Sequence, residues 1–181
     1  NNTALTGLDC KINQLTSLDV SNNIYLIYIV CESNFLTSLD LSNNTALIDL
    51  FCRYNQLTSL NLSNNTSLTR LFCNNNQLTS LDLRNGNNTN LSSFFTFNNP
   101  NLYCIDVDDA AYSTANWSYI DPWAIYSNDC QNFSCDLLFN SPIYQNNTSN
   151  TACDGYIIAN ATSSSMPITY YWNNGVSGAI N

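Results

Sequence analysis

The chain has 181 residues and a mass of 20.2 kDa, with four Lys and Arg against thirteen Asp and Glu, no His and a net charge of −9. So few basic residues exclude a nucleic-acid groove or a patch for acidic lipid, since both need clustered Lys and Arg. Without His, the usual imidazole base, zinc ligand and pH switch are missing.

Charged residues make up only 9%, while Asn alone fills 33 positions, so solubility rests on uncharged amides and hydroxyls. The length is enough to bury a core in one or two domains. No apolar run reaches the ~18 residues of a membrane span, so no membrane insertion is expected. The chain opens on Asn1-Asn2-Thr3-Ala4-Leu5, which matches Asn43-Asn44-Thr45-Ala46-Leu47 letter for letter. The first residues therefore already belong to a repeat, and the chain is expected to be a processed or excised piece of something longer.

NQLTSLD begins at Asn13 and returns with small changes at Asn34, Asn55 and Asn76, a step of 21 residues shared by Cys10, Cys31, Cys52 and Cys73. A fixed step of this kind predicts a solenoid, because each unit cannot bury its own apolar side and must stack on neighbours. Leu50 and Cys52 alternate with Phe51 and Arg53, the period of a short strand with one buried face. Leu60 and Leu62 do the same against Asn61 and Ser63 on the other half of the coil. Stacked coils would then form two parallel sheets with strands about 4.8 Å apart. Asn13, Asn34, Asn55 and Asn76 fall where the chain turns after the first strand. An inward amide there can satisfy buried backbone groups and stack as a ladder.

A fifth coil is irregular: Leu91, Phe94, Thr96 and Asn99 replace Leu, Leu, Cys and Asn, and Leu102, Ile105 and Val107 complete it. Irregular coils are normally the last ones, next to a cap. Residues 108–130 fit that role, with Trp117, Ile120, Trp123, Ile125 and Tyr126 expected to cover the open end. The predicted organisation is a solenoid over 1–107, a cap and linker over 108–134, and the start of another module over 135–181.

The unit LxxLxCxxNxL, seen in Leu47, Leu50, Cys52, Asn55 and Leu57, runs on into LxxLxLxxN at Leu57, Leu60, Leu62 and Asn65. It resembles the bacterial leucine-rich repeat in which a 21-residue unit holds two nested half-repeats. The cap, DVDDAAYSTANW followed by IDPWAIYSNDC, is similar to those that follow such repeats in secreted proteins of the Bacteroidota. From Cys153 onward the chain resembles the β-sandwich repeats of gliding-motility adhesins from the same bacteria. The matching positions are Cys153, Gly155, Pro167, Thr169, Tyr170, Trp172 and Gly175, while Ser163, Ser164 and Ser165 stand where those repeats carry glycine. An immunoglobulin-like module needs about seven strands and near 100 residues, so this one is incomplete here. These resemblances imply a mainly β protein: a leucine-rich-repeat solenoid with parallel strands and a C-terminal cap, then a partial immunoglobulin-like β-sandwich. They also imply an extracellular or cell-surface location, reached by the type IX export route.

Eight cysteines in such a chain suggest disulfides. The ladder members fit poorly, since parallel neighbours hold their Cβ atoms about 4.8 Å apart where a bridge prefers about 3.8 Å. Cys10, Cys31, Cys52 and Cys73 are expected as free core thiols, with metal binding through stacked thiolates as the alternative. Cys104 with Cys130 would staple the cap to the last coil, and Cys135 with Cys153 would tie the linker to the sandwich.

Function is expected on the outward columns. Asp9, Val30, Phe51, Phe72 and Phe95 point away from the core of the first sheet, beside Lys11, Glu32, Arg53, Asn74 and Phe97. Val30, Phe51, Arg53, Phe72, Phe95 and Phe97 are therefore the candidate binding residues, since a stacked apolar row marks an interaction site. The other option is that the cap, glycans or a neighbouring domain covers the row. The second sheet carries Asp19, Asp40, Asn61, Asp82 and Asp106, either a solvated face or a Ca²⁺ site, the one cofactor the sequence suggests. Asp106, Asp108 and Asp109 form the densest acidic cluster but lack the glycine and terminal Glu of an EF-hand loop.

No spacing selects a catalytic pair, and no catalytic residue is assigned. About a dozen Asn-x-Ser/Thr sequons, among them Asn43, Asn64, Asn116 and Asn160, arise partly from the repeat itself. The expected function is non-catalytic adhesion to, or recognition of, a protein or glycan surface. The alternative is a structural subunit of an extracellular filament or surface layer, built from copies of itself through the aromatic column and the sandwich edge.

Overall fold

The computed structural model describes residues 2–131 throughout, and beyond them the backbone of three strands between residues 155 and 180. The chain divides into two compact units, Asn1–Cys130 and Gln131–Asn181. The expected Cys135–Cys153 pairing and most of the predicted sandwich lie outside the described residues.

In the first unit the elements follow the repeat. They run β1 (Gly7–Asp9), β2 (Tyr28–Val30), β3 (Asp49–Phe51), β4 (Ser59–Asn61), β5 (Arg70–Phe72) and β6 (Ser80–Asp82). A 3-10 turn at Asn88–Asn90, β7 (Ser93–Phe95), β8 (Cys104–Asp106), α1 (Ala110–Asn116) and β9 (Ile125–Ser127) complete it. The first half-coils form a five-stranded sheet, β1-β2-β3-β5-β7, and the second a four-stranded sheet, β4-β6-β8-β9. Every pairing within these two sheets is parallel. Leu8, Ile29, Leu50, Leu71 and Phe94 stand in unbroken register. The last step is two residues longer than the others, and Gly86, at φ +74°, and the 3-10 turn lie within it. This is a mainly β parallel solenoid of the leucine-rich-repeat kind.

Leucines of both half-repeats fill the interior. Leu36, Leu50, Leu57, Leu62, Leu71, Leu78 and Leu81 are fully buried, each contributing about 1.5–3 kcal/mol by removal from water. Each turn between half-coils would leave backbone groups unpaired, and the Asn column meets that need. Asn55 donates from Nδ2 to the carbonyls of Cys31 and Cys52, both at 3.0 Å, while its Oδ1 accepts the Leu36 N–H at 3.0 Å. Asn34 and Asn76 repeat this pattern one coil earlier and later. Asn99 extends it into the fifth coil, accepting from Leu78 and donating to Cys73 and Thr96. Asn13 differs: it is exposed and reaches only the Cys10 and Lys11 carbonyls of its own coil. A second ladder runs through the other turn, where Asn44 donates to Val20 and Asn23 and Asn65 donates to Leu41 and Asn44.

The cap begins with Asp109, whose side chain accepts the Tyr112 N–H at the start of α1. Trp117 and Tyr126 close the apolar end on Phe94, at centroid distances of 5.0 and 6.4 Å. Ile120 is half-buried, but Trp123 and Ile125 are 44% and 39% exposed, which corrects the expectation that all five cover the core. Strand alternation is the reason: in β9 the central Tyr126 points inward, so its neighbour Ile125 must point out. The segment before β9 also imitates a further coil. Buried Asp121 accepts the N–H groups of Asn98 and Asn99 at 2.8 Å each, and Tyr119 accepts from Thr96. A disulfide joins Cys104 to Cys130 across 26 residues, tying β8 to the end of the cap.

The second unit shows an antiparallel sheet in the order β10 (Gly155–Ile157), β11 (Ile168–Trp172), β12 (Ser177–Ile180). Tyr156 pairs with Tyr171, and Tyr170 with Gly178.

Candidate recognition face

The first sheet presents the third residue of each strand outward, and this places Phe51, Phe72 and Phe95 in one row. Strand spacing near 4.8 Å brings the rings edge to face, at centroid distances of 4.9 Å for Phe51–Phe72 and 4.7 Å for Phe72–Phe95. Because the rings pack on each other they are half-buried, and each pair adds about 0.5–1.5 kcal/mol beyond its area. Phe97 meets Phe95 at 6.5 Å. Tyr119 of the cap stacks on Phe95 at 4.5 Å, so the cap ends the row on that side without covering Phe51 or Phe72. Sequence reading missed Tyr119, whose position depends on the cap copying a coil. Val30 is half-buried beyond Phe51, and the row gives way to exposed Asp9 on the first coil.

Ion pairs flank the row on both sides. Arg53 donates through Nε to Glu32 of the preceding coil. Arg70 grips Asp49, also one coil back, through Nε at 2.6 Å and a terminal nitrogen. These bonds raise both guanidinium pKa values, the hydrogen bond to the acid being the main cause in each. Lys11 pairs with Asp9 at 3.3 Å. The face therefore carries three acids and three bases, and the net charge of −9 belongs to the rest of the chain. The Arg70 guanidinium also lies 5.5 Å over Phe51, and that of Arg53 lies 5.9 Å over Tyr54. Asn74 leaves the outer set, since it is only 5% exposed.

The acidic column of the second sheet has a different use. Asp19, Asp40 and Asn61 each accept the N–H of the serine two residues on, at 2.9–3.0 Å. Asp19 has its pKa lowered mainly by the Ser21 hydroxyl, and Asp40 mainly by the Ser42 N–H. Arg84 binds Asp82 and Asp106. The denser cluster separates in space by role: Asp106 accepts the Cys130 N–H, Asp108 accepts from Gly86 and Asn88, and Asp109 caps α1. Among the described residues no three acidic or sulfur side chains converge as a cation would require.

Cys31, Cys52 and Cys73 are buried free thiols, and Cys10 is a half-buried one. Burial pushes Cys31 and Cys73 up to about 12 and raises Cys52 well above its ordinary value. Thiols this hard to ionise make poor nucleophiles. Of the sequons, Asn43, Asn64 and Asn116 are exposed, while Asn160 lies outside the described residues.

No protein-family model matches the chain, and no curated protein matches it. Among solved structures it is similar to the functional domain of InlJ from Listeria monocytogenes, which includes a cysteine ladder. The identity is 28% and the TM-score 0.46, over 68% of this chain and 34% of that one. It is also similar to an internalin (inlF) from Listeria monocytogenes str. 4b F2365, at 25% identity and a TM-score of 0.49, over 67% of this chain and 36% of the other. The chain thus spans about a third of the length of either match. Among the described residues no helix is long and apolar enough to cross a membrane.

Proposed function

We propose that the protein is a non-catalytic recognition or adhesion module, displayed outside the cell or on its surface, that binds a protein partner through the first sheet. The observation that carries this is the aromatic row Phe51–Phe72–Phe95 on a charge-neutral face of an otherwise acidic molecule. A net-negative chain repels acidic surfaces elsewhere, so close approach is least opposed on this face. Half-buried aromatics bracketed by arginines have the composition of interface anchors. The second-sheet carboxylates support the non-catalytic reading, since those described are engaged in turns, caps and ion pairs.

The test is binding of the Phe51→Ser/Phe72→Ser double variant to a panel of immobilised surface proteins and glycans, with folding verified by circular dichroism. Loss of a protein ligand held by the wild type supports the reading. Retained binding contradicts it. Loss of filaments seen by electron microscopy in wild-type material alone would favour the structural-subunit alternative.

A further inference from the structure

Resting on that reading of the first sheet, we infer that the third coil supplies its anchor, with Arg53 taking a carboxylate of the protein partner while the partner's adjoining apolar side chain seats on Phe51 and Phe72. The arginines of the solenoid are not used alike. Arg70 spends both Nε and a terminal nitrogen on Asp49, and Arg84 is divided between Asp82 and Asp106. Arg53 is fixed by Glu32 through Nε alone, so its two terminal amino groups have no protein acceptor among the described residues. Its side chain is 41% exposed, while that of Glu32 is 17% exposed. Glu32 is thus a positioning residue: it orients a guanidinium whose remaining fork fits a carboxylate. Each acid of the face has its own cation, so what the third coil offers beside the aromatic row is hydrogen-bond donors, the unused fork of Arg53.

Tyr54 is the second, independent observation. It occupies the left-handed turn position at φ 57°, which every coil repeats and which Ile12, Ser33, Asn75 and Asn98 fill in the others. Asparagine reaches that region at low cost, whereas a bulky aromatic there is an outlier of the kind that gathers at functional sites. The ring is 53% exposed, and the Arg53 guanidinium lies over it. A stability-driven choice at this position would be Asn; the tyrosine instead adds contact area next to the free fork. Ile12 bears the same strain on the first coil and serves as a control.

The experiment is an NMR titration of the full chain with two acetylated peptide amides, Leu-Asp and its uncharged counterpart Leu-Asn. The expected result is that Leu-Asp shifts the Arg53 Nε signal and the Phe51 and Phe72 rings, and binds about tenfold tighter than Leu-Asn, as a charge-assisted bond would give. Arg53→Gln should abolish that preference while leaving ring shifts with both peptides. Tyr54→Asn should raise Tm by a few degrees yet weaken Leu-Asp binding several-fold, whereas Ile12→Asn should raise Tm alone. Equal affinity for the two peptides, or Tyr54→Asn without effect on binding, would overturn the inference and leave the recognition face standing. Absence of ring shifts with either peptide would also overturn it, and the panel experiment on Phe51 and Phe72 then decides the broader reading separately.

Discussion

At the residue scale, the amides of the turn do as much as the leucines to define a coil. Asn55 bonds three backbone groups at once. Without it the Cys31 and Cys52 carbonyls keep the amides of Asn34 and Asn76, but the buried Leu36 N–H is orphaned at about 1–3 kcal/mol. Asn55→Ala is therefore expected to lower stability by about 1–3 kcal/mol in urea unfolding. Asn13→Ala, at the exposed end of the column, should change it by less than about 0.5 kcal/mol. Equal effects would remove the ladder from the account. The thiols give a pH signature. Cys31 and Cys73 hold their protons in the fold up to about 12, against an ordinary value of 9.0. Between those limits the unfolded chain has lost protons that the fold keeps, so stability falls as pH rises. Urea midpoints should lose this contribution from about pH 9 upward, and a Cys31→Ala/Cys73→Ala variant should show a shallower alkaline decline.

At the element scale, the strands and the first Asn column were legible because the step of 21 residues repeats both the apolar alternation and the amide. The second amide column, Asn23, Asn44 and Asn65, shares that step, but its asparagines sit among other Asn and Ser residues that mask which amide turns inward. The cap was harder to read. Its aromatic residues announce burial, but which of them turn inward depends on the β9 register, and that register is set by Cys104 pairing with Ile125. Asp121 gives no local sign of its role, because its two donors lie 22 and 23 residues earlier. The corrected cap makes a paired expectation. Trp117→Ala should cost about 3–5 kcal/mol, while Trp123→Ala should stay within about 0.5 kcal/mol. Reduction of Cys104–Cys130 should cost roughly 2–4 kcal/mol. Hydrogen exchange should then show the loss first in the cap and in β8, because neighbour-only contacts let a solenoid fray from its end.

At the scale of the whole molecule, the division of charge is what would let a chain with a net charge of −9 hold the proposed protein partner. Three ion pairs neutralise the first sheet, and the aromatic row lies between two of them. The candidate row was legible in the repeat, but its edge-to-face packing, the closure by Tyr119 and the half-used Arg53 depend on how coils and cap stack in space. Neutrality predicts weak salt dependence: partner affinity should change less than about threefold between 50 and 500 mM NaCl, whereas binding through the acidic second sheet would vary steeply. The most direct measurement of the central claim is side-by-side binding of three proteins to the immobilised surface panel. These are the wild type, Phe51→Ser/Phe72→Ser on the first sheet, and Tyr103→Ser/Trp123→Ser among the exposed aromatics elsewhere. Loss of binding in the first-sheet variant alone is the expected result. Retention there, or loss in the second variant alone, would place recognition on another surface.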